Sequence, residues 1–198
     1  TKLTIASLQK NYFSDQTDLI IFSDGPKSAI DFDNVLEVRK YIYNLSGFRS
    51  VQVVEQASNV GLASSIISGV TKILSEHNSV IVLEDDIITS PAFLSYMNQA
   101  LNFFSLNQKI WHINGFSQPI SQIGLKDIYI NRVMDCWGWA TWSDRWKFFD
   151  KNPELLLERM DASTRKKFDL NGTNEFWPQV TKNITGEINT WAIFWYAE

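Results

Sequence analysis

The chain has 198 residues, enough for one domain with its own core, and 44% of them are hydrophobic against 20% charged, the balance of a packed globular protein. A net charge of −4 is the wrong sign for a protein that coats nucleic acid. The single cysteine, Cys136, excludes an intrachain disulfide, and two histidines are too few for a Cys/His zinc site, so a bound metal should be a hard ion held by carboxylates and phosphates.

"TKLTIASLQK" reads as the tail of an amphipathic helix. "DLIIFSDGP" is a buried strand that ends in a turn, and "FDNVLEVRKYIYNL" has helical spacing through Val35, Leu36, Val38, Ile42 and Leu45. "VQVVEQ" is a second strand. "NVGLASSIISGVTKILSEH" opens on an Asn-x-Gly loop and becomes a helix, and "SVIVLED" is a third strand. Ser90 is placed to cap the next helix, with Pro91 at its first position and "AFLSYMNQALNFF" as its body. "KIWHING" and "DIYINRVM" read as two further strands. From Trp137 the chain turns helical and aromatic, and it ends on "TWAIFWYAE" in mid-helix, as a piece of a longer protein would. No signal peptide or membrane-spanning run is visible, and a cytoplasmic location is expected.

Three strands each followed by a helix predict an α/β fold with right-handed crossovers and a mostly parallel sheet. Ligands of such sheets bind beyond the carboxyl ends of the strands. Polar clusters stand at those ends: Ser23, Asp24 and Gly25 after the first, Asn59, Val60 and Gly61 after the second, Glu84, Asp85 and Asp86 after the third. Three adjacent carboxylates repel one another and are costly to desolvate. They suit a divalent ion whose remaining ligands arrive with a phosphate, or, more plainly, an acidic first turn that favours the helix dipole. Asp24 can accept hydrogen bonds from a base or ribose, with Gly25 allowing close approach, or simply shape an Asp-Gly turn. Gly61 can bring a helix N-terminus to a ligand or serve a tight turn. No G-x-G-x-x-G or P-loop pattern is present.

"DCWGWATWSDRW" contains Trp137, Trp139, Trp142 and Trp146. The last three fall at helical spacing, and core packing explains at least two of them; Trp137 and Trp139 flank Gly138, as a platform for a sugar would. Trp191 and Trp195 read as core.

Together these residues resemble a GT-A glycosyltransferase, closest in pattern to bacterial sugar transferases related to the N-acetylglucosaminyltransferase I group. "VIVLEDDIITSPAFLSYM" looks like that group's strand, Glu-Asp-Asp and helix segment. The resemblance implies that Asp86 binds Mn²⁺ or Mg²⁺, that Asp85 approaches the donor sugar or ribose, and that Glu84 supports both. It maps Asp24 and Gly25 to the nucleotide base, Asn59, Gly61, Leu62 and Ala63 to the donor site, and Trp137, Gly138 and Trp139 to the acceptor. It implies one GT-A domain over residues 1–198, lacking its first strand and its C-terminal end, with a nucleotide-sugar half in 1–90 and an acceptor half in 91–198.

The implied reaction is inverting transfer from a nucleotide sugar, UDP-linked, to a glycan or lipid-linked acceptor in surface-polysaccharide assembly, without nucleic acid. Membrane association would fall to regions outside this chain. A catalytic carboxylate base is needed. In "GEINTWAIFW" Asn189 and Thr190 stand beside Trp191, where relatives carry an aspartate, so Glu187 is the candidate and Asp135 the second. A sugar nucleotidyltransferase is the alternative enzyme, though its Gly-rich basic loop is not found. A non-catalytic carbohydrate-binding domain is the other alternative, though it has no use for the three acids.

Overall fold

The computed structural model describes residues 1–198 other than Ile120, Gln122, Leu125 and Asp127. In chain order it forms α1 (Lys2–Leu8), β1 (Asp18–Ser23), α2 (Phe32–Ile42), β2 (Ser50–Glu55), α3 (Leu62–Glu76), β3 (Ser79–Val82), α4 (Phe93–Phe104), β4 (Ile113–Asn114) and β5 (Trp139–Trp142). Five short helices follow: α5 (Ser143–Trp146), α6 (Pro153–Arg159), α7 (Ala162–Phe168), α8 (Trp177–Ile184) and α9 (Ala192–Ala197). The result is a mixed α/β structure with a small parallel sheet, an antiparallel sheet and aromatic-rich helices.

β1 and β2 pair in parallel, from Asp18 opposite Ser50 to Ser23 opposite Glu55, with α2 as the crossover. Among the described residues this sheet does not continue into β3 as expected. β3 instead pairs antiparallel with β5, Ser79 opposite Trp142 and Val82 opposite Trp139, and β4 pairs with the other edge of β5. A strand of residues 1–90 is thereby hydrogen-bonded to a strand of residues 91–198.

Of the tryptophans that read as a helical stripe, Trp139 and Trp142 belong to β5 and Trp146 closes α5. All four residues of this central strand are buried, so successive side chains enter opposite cores. Trp139 joins Trp146, Trp191 and Trp195 on one face, with Val70 and Leu74 of α3. Trp142 joins Phe93, Met97 and Leu101 of α4 on the other, with Leu8 of α1. Three positions apart is one face of a helix but opposite faces of a strand. The "DIYINRVM" strand is likewise not formed among the described residues, and "KIWHING" contributes only Ile113 and Asn114.

α3 presents Ala63, Ile66, Ile67, Val70 and Leu74 to β3 and the tryptophan core, an amphipathic stripe. Its Gly69 lies against Phe22 of β1, whose ring would be 3.2 Å from a Cβ there. One helix thus packs on both sheets. A third core, Leu156, Phe168, Val180, Ile193 and Phe194, unites α6 to α9. Among the described residues no helix is long and apolar enough to cross a membrane.

The start of α4 also differs from expectation. The helix begins at Phe93 with Ala92 at its cap, and Ser90 gives no side-chain cap. The capping acceptor comes from far away in sequence: Asn11 Oδ1 accepts from Leu94 N at 2.9 Å, while Asn11 Nδ2 donates to Thr89 Oγ1 at 2.9 Å. Thr4 donates to the Asp85 carbonyl at 2.6 Å, Thr89 N to Ser7 Oγ at 3.0 Å and Tyr12 N to the Pro91 carbonyl at 2.9 Å. α1 and the turn after it therefore clasp the whole loop from Asp85 to α4. Asn11 is 5% exposed, so Asn11→Ala strips a cap and leaves Leu94 N without its acceptor. A loss of about 1–2 kcal/mol is expected, read as a lower denaturation midpoint with an unchanged slope; a midpoint equal to wild type would show that the clasp contributes nothing.

Candidate functional site

Apart from Glu187, the residues singled out in the sequence fall into two groups at strand ends. The first is built on Asp24. Its Oδ1 accepts from Gly25 N (2.8 Å) and Val60 N (2.9 Å), and its Oδ2 accepts from Asn59 Nδ2 and Gly61 N (both 2.9 Å). Asp24, Gly25, Asn59 and Gly61 are thus brought together as expected, but the carboxylate is not left open for a base. Four donors match the four lone-pair positions of an ionised carboxylate, and all are supplied by the chain itself. Asp24 ties the loop after β1 to the loop before α3. The two loops approach so closely at Gly25 that a Cβ there would lie 2.5 Å from the Ser58 backbone. Arg39 of α2 completes the edge: it ion-pairs with Glu55 at 2.9 Å and donates to the Ser23, Asp24 and Gln56 carbonyls. Of the helix residues beyond, Leu62 is exposed and Ala63 is buried.

The second group follows from the β3–β5 register. Because Val82 faces Trp139, the chain leaving β3 at Leu83 and Glu84 runs beside the chain entering β5 at residues 135–138. Gly138 confirms the contact: a Cβ there would be 3.2 Å from Leu83 Cδ2 and 3.0 Å from the Phe93 ring, and its φ of +75° is a left-handed value. Its carbonyl accepts from Gly115 N at 2.7 Å. The charges of Glu84, Asp135 and Asp86 all reach Cys136, whose thiol is pushed up to about 11, chiefly by burial and then by these carboxylates.

Within this group the three acids are not equivalent. Glu84 is half-buried, and its carboxyl is shifted up by that burial and then by Asp86 and Asp85. Asp85 is exposed and accepts from the Thr1 hydroxyl at 2.9 Å. Asp86 is exposed and makes no hydrogen bond or ion pair among the described residues. Those residues contain no group of three or more His, Cys, Asp or Glu side chains gathered to hold a metal ion. One free carboxylate beside a half-buried, uncompensated one suits an ion that takes its other oxygens from a ligand, the usual arrangement for Mg²⁺.

Asp135 stands across from these acids. Its Oδ1 accepts from Trp137 N at 2.9 Å, and its amide donates to Asn114 Oδ1 at 2.9 Å. Trp137 is 51% exposed and meets Phe116 edge-on at 4.7 Å. Trp139 cannot be the expected sugar platform: it is fully buried and stacks with His112 and Trp191, each at 5.1 Å. Glu187 lies elsewhere, on the exposed turn between α8 and α9, ion-paired to Lys182 at 3.0 Å. Among the described residues no hydrogen bond or ion pair joins it to Asp135 or Glu84.

His112 is the residue that sequence reasoning missed. It was legible only as one of two histidines, with no motif around it. Trp195 Nε1 donates to its Nδ1 at 3.2 Å, so the ring proton sits on Nε2 and is donated to the Asp135 carbonyl at 3.0 Å. Burial holds its pKa down at about 4. A second proton would have to enter at Nδ1, facing another N–H.

Between pH 6.5 and about 4 the unfolded chain binds a proton that the folded chain refuses, so stability should fall as pH falls through this window. The loss attributable to His112 is roughly 3 kcal/mol at most. Melting curves across the window should show that slope in the wild type and not in His112→Gln; the same slope in both would remove the assignment. No protein-family model matches the chain and no curated protein does, so the reading of these strand ends rests on their residues alone.

Proposed function

We propose that the chain is a metal-dependent glycosyltransferase of GT-A type, moving a sugar from a nucleotide-sugar donor, UDP-linked, to an acceptor hydroxyl with inversion. The observation that carries the reading is the juxtaposition of Asp135 and exposed Trp137 with the strand-end acids Glu84 and Asp86. Single displacement at a sugar carbon needs anion management on one side and a carboxylate base on the other. The β3–β5 pairing supplies acids to both.

Asp86 would hold the divalent cation, with Glu84 behind it; such an ion supplies neutralisation of the charge that develops on a departing diphosphate. Asp135 takes the acceptor's proton. Its Oδ1 is fixed by the Trp137 amide and its own backbone by Asn114 and His112, which leaves Oδ2 oriented and available. Trp137 offers the acceptor ring an apolar face. Asp24 acts as a positioning residue: by binding residues 59–61 it sets the loop that lines the nucleotide. Glu187, paired to Lys182 on a distant turn, is the weaker candidate for the base.

Calorimetric titration of UDP separates these roles. Mn²⁺ should be required, with EDTA weakening UDP by about ten-fold or more, and Asp86→Asn should lose the Mn²⁺-dependent part while melting normally. Asp135→Asn should bind UDP like the wild type and lower kcat on the order of 10²- to 10⁴-fold, with Glu187→Gln near wild type. UDP binding indifferent to Mn²⁺, or full turnover in Asp135→Asn, would overturn the proposal.

A further inference from the structure

A cavity of about 830 Å³ adjoins the Asp135 side of this edge, walled by α4, β4, residues 128–134, α7 and α9. Its size is that of a small-molecule site. It shares walls with the candidate site: Asn114, which holds the Asp135 amide, and Phe116, which packs on Trp137, both line it. Two features of the lining bear on what it would hold.

The first is aromatic. Tyr96, Trp111, Tyr129 and Tyr196 line the cavity, and each combines an apolar ring with a polar tip. That combination meets the alternating C–H faces and hydroxyls of a sugar ring. The Tyr129 hydroxyl is already paired with Ser117 Oγ at 2.6 Å, as a hydroxyl-binding pair at the wall would be.

The second is charge. Lys109, Arg132 and Lys167 line the same cavity, and none forms an ion pair among the described residues. Glu198 also lines the cavity, and its side-chain carboxylate is paired with Arg159 at 3.7 Å. The charge of Lys167 reaches Asp161 and that of Asp169 reaches Tyr196, but three cations without an ion-pair partner on one cavity wall, in a chain whose net charge is −4, still favour an anionic occupant.

We propose that this cavity binds the acceptor and that the acceptor is an anionic saccharide, a sugar ring bearing a carboxylate or a phosphate. The proposal rests on the glycosyltransferase reading for the word acceptor, but the binding it describes does not. The rings receive the sugar, the cations receive the anionic group, and the shared wall of Asn114 and Phe116 leads a hydroxyl towards Asp135.

Tryptophan fluorescence of the whole chain, with Trp111 and Trp195 in the cavity wall, can follow titration with glucuronate, glucose 6-phosphate, glucose and inorganic phosphate at low and high salt. Glucuronate or glucose 6-phosphate should bind about ten-fold tighter than glucose and weaken with salt, and whichever of the two is preferred identifies the anionic group. Arg132→Gln combined with Lys167→Gln should remove that preference and leave Mn²⁺-dependent UDP binding intact. Glucose binding as tightly as both anionic sugars, or inorganic phosphate binding as tightly as glucose 6-phosphate, would overturn the assignment, as would a preference that survives the double substitution. Anionic-sugar binding without any UDP binding would keep the cavity and sink the donor site; UDP binding without any sugar binding would do the reverse.

Discussion

The antiparallel pairing of β3 with β5 is the constraint on which the rest depends. β3 is followed, after Leu83, by three acids, and β5 is preceded by Asp135, Cys136, Trp137 and Gly138. Antiparallel strands place the end of one beside the start of the other, so Val82 opposite Trp139 leaves the two polar segments as neighbours. A parallel partner would have sent the second segment to the far end of the sheet. The same strand carries Trp139 and Trp142 into two different cores. Shifting the register by one residue would exchange those faces and bury the wrong ring in each. The packing of large aromatic side chains thereby fixes the position of the acids.

Around that pairing the protein holds its polar edge with hydrogen bonds from elsewhere in the chain. α1 and Asn11 fix the loop beyond Asp85 through its carbonyls, amides and the start of α4. His112 fixes the Asp135 carbonyl and is itself fixed by Trp195. Asp24 and Arg39 do the same for the ends of β1 and β2. In each case a buried or half-buried polar group receives its full complement of partners, as the cost of leaving one unpaired demands. Among the described residues the exceptions at this edge are the Trp139 indole N–H, which is shut in the core, and the Glu84 and Asp86 carboxylates; of these, the carboxylates are where a cation and its ligand would gain most.

The local elements were largely legible. β1, β2 and β3 follow from their β-branched runs, α3 from its apolar stripe and the preceding Asn-x-Gly loop, and the meeting of Asp24 with Asn59 and Gly61 from their places after parallel strands. What escaped depends on contacts far apart in sequence. A tryptophan spacing of three fits one face of a helix, and only the partner strands on either side show that residues 139–142 are extended. The α4 cap is Asn11, separated from Leu94 by 83 positions, so the nearby Ser90 was the natural but mistaken choice. Trp137 and Trp139 look alike beside Gly138, yet only Trp139 belongs to β5 and its core, whereas Trp137 precedes the strand, on the other side of the left-handed Gly138, and is exposed. For Asp24 the sequence allows both a carboxylate open to a base and a turn-former, because the chain's own four donors to it cannot be counted from a string. Glu187 had the right chemistry, and its place on the α8–α9 turn was not visible without the fold.

On the proposed reading, a divalent ion and a nucleoside diphosphate would meet at Asp86, with Asp135 facing them. Anomalous diffraction at the manganese edge from crystals grown with UDP and Mn²⁺ addresses it directly. The ion should appear on the Asp86 carboxylate, bridged to the diphosphate, with Asp135 on the open side beyond it. Manganese bound to other residues, or UDP seated away from the ends of β1 and β3, would contradict the claim.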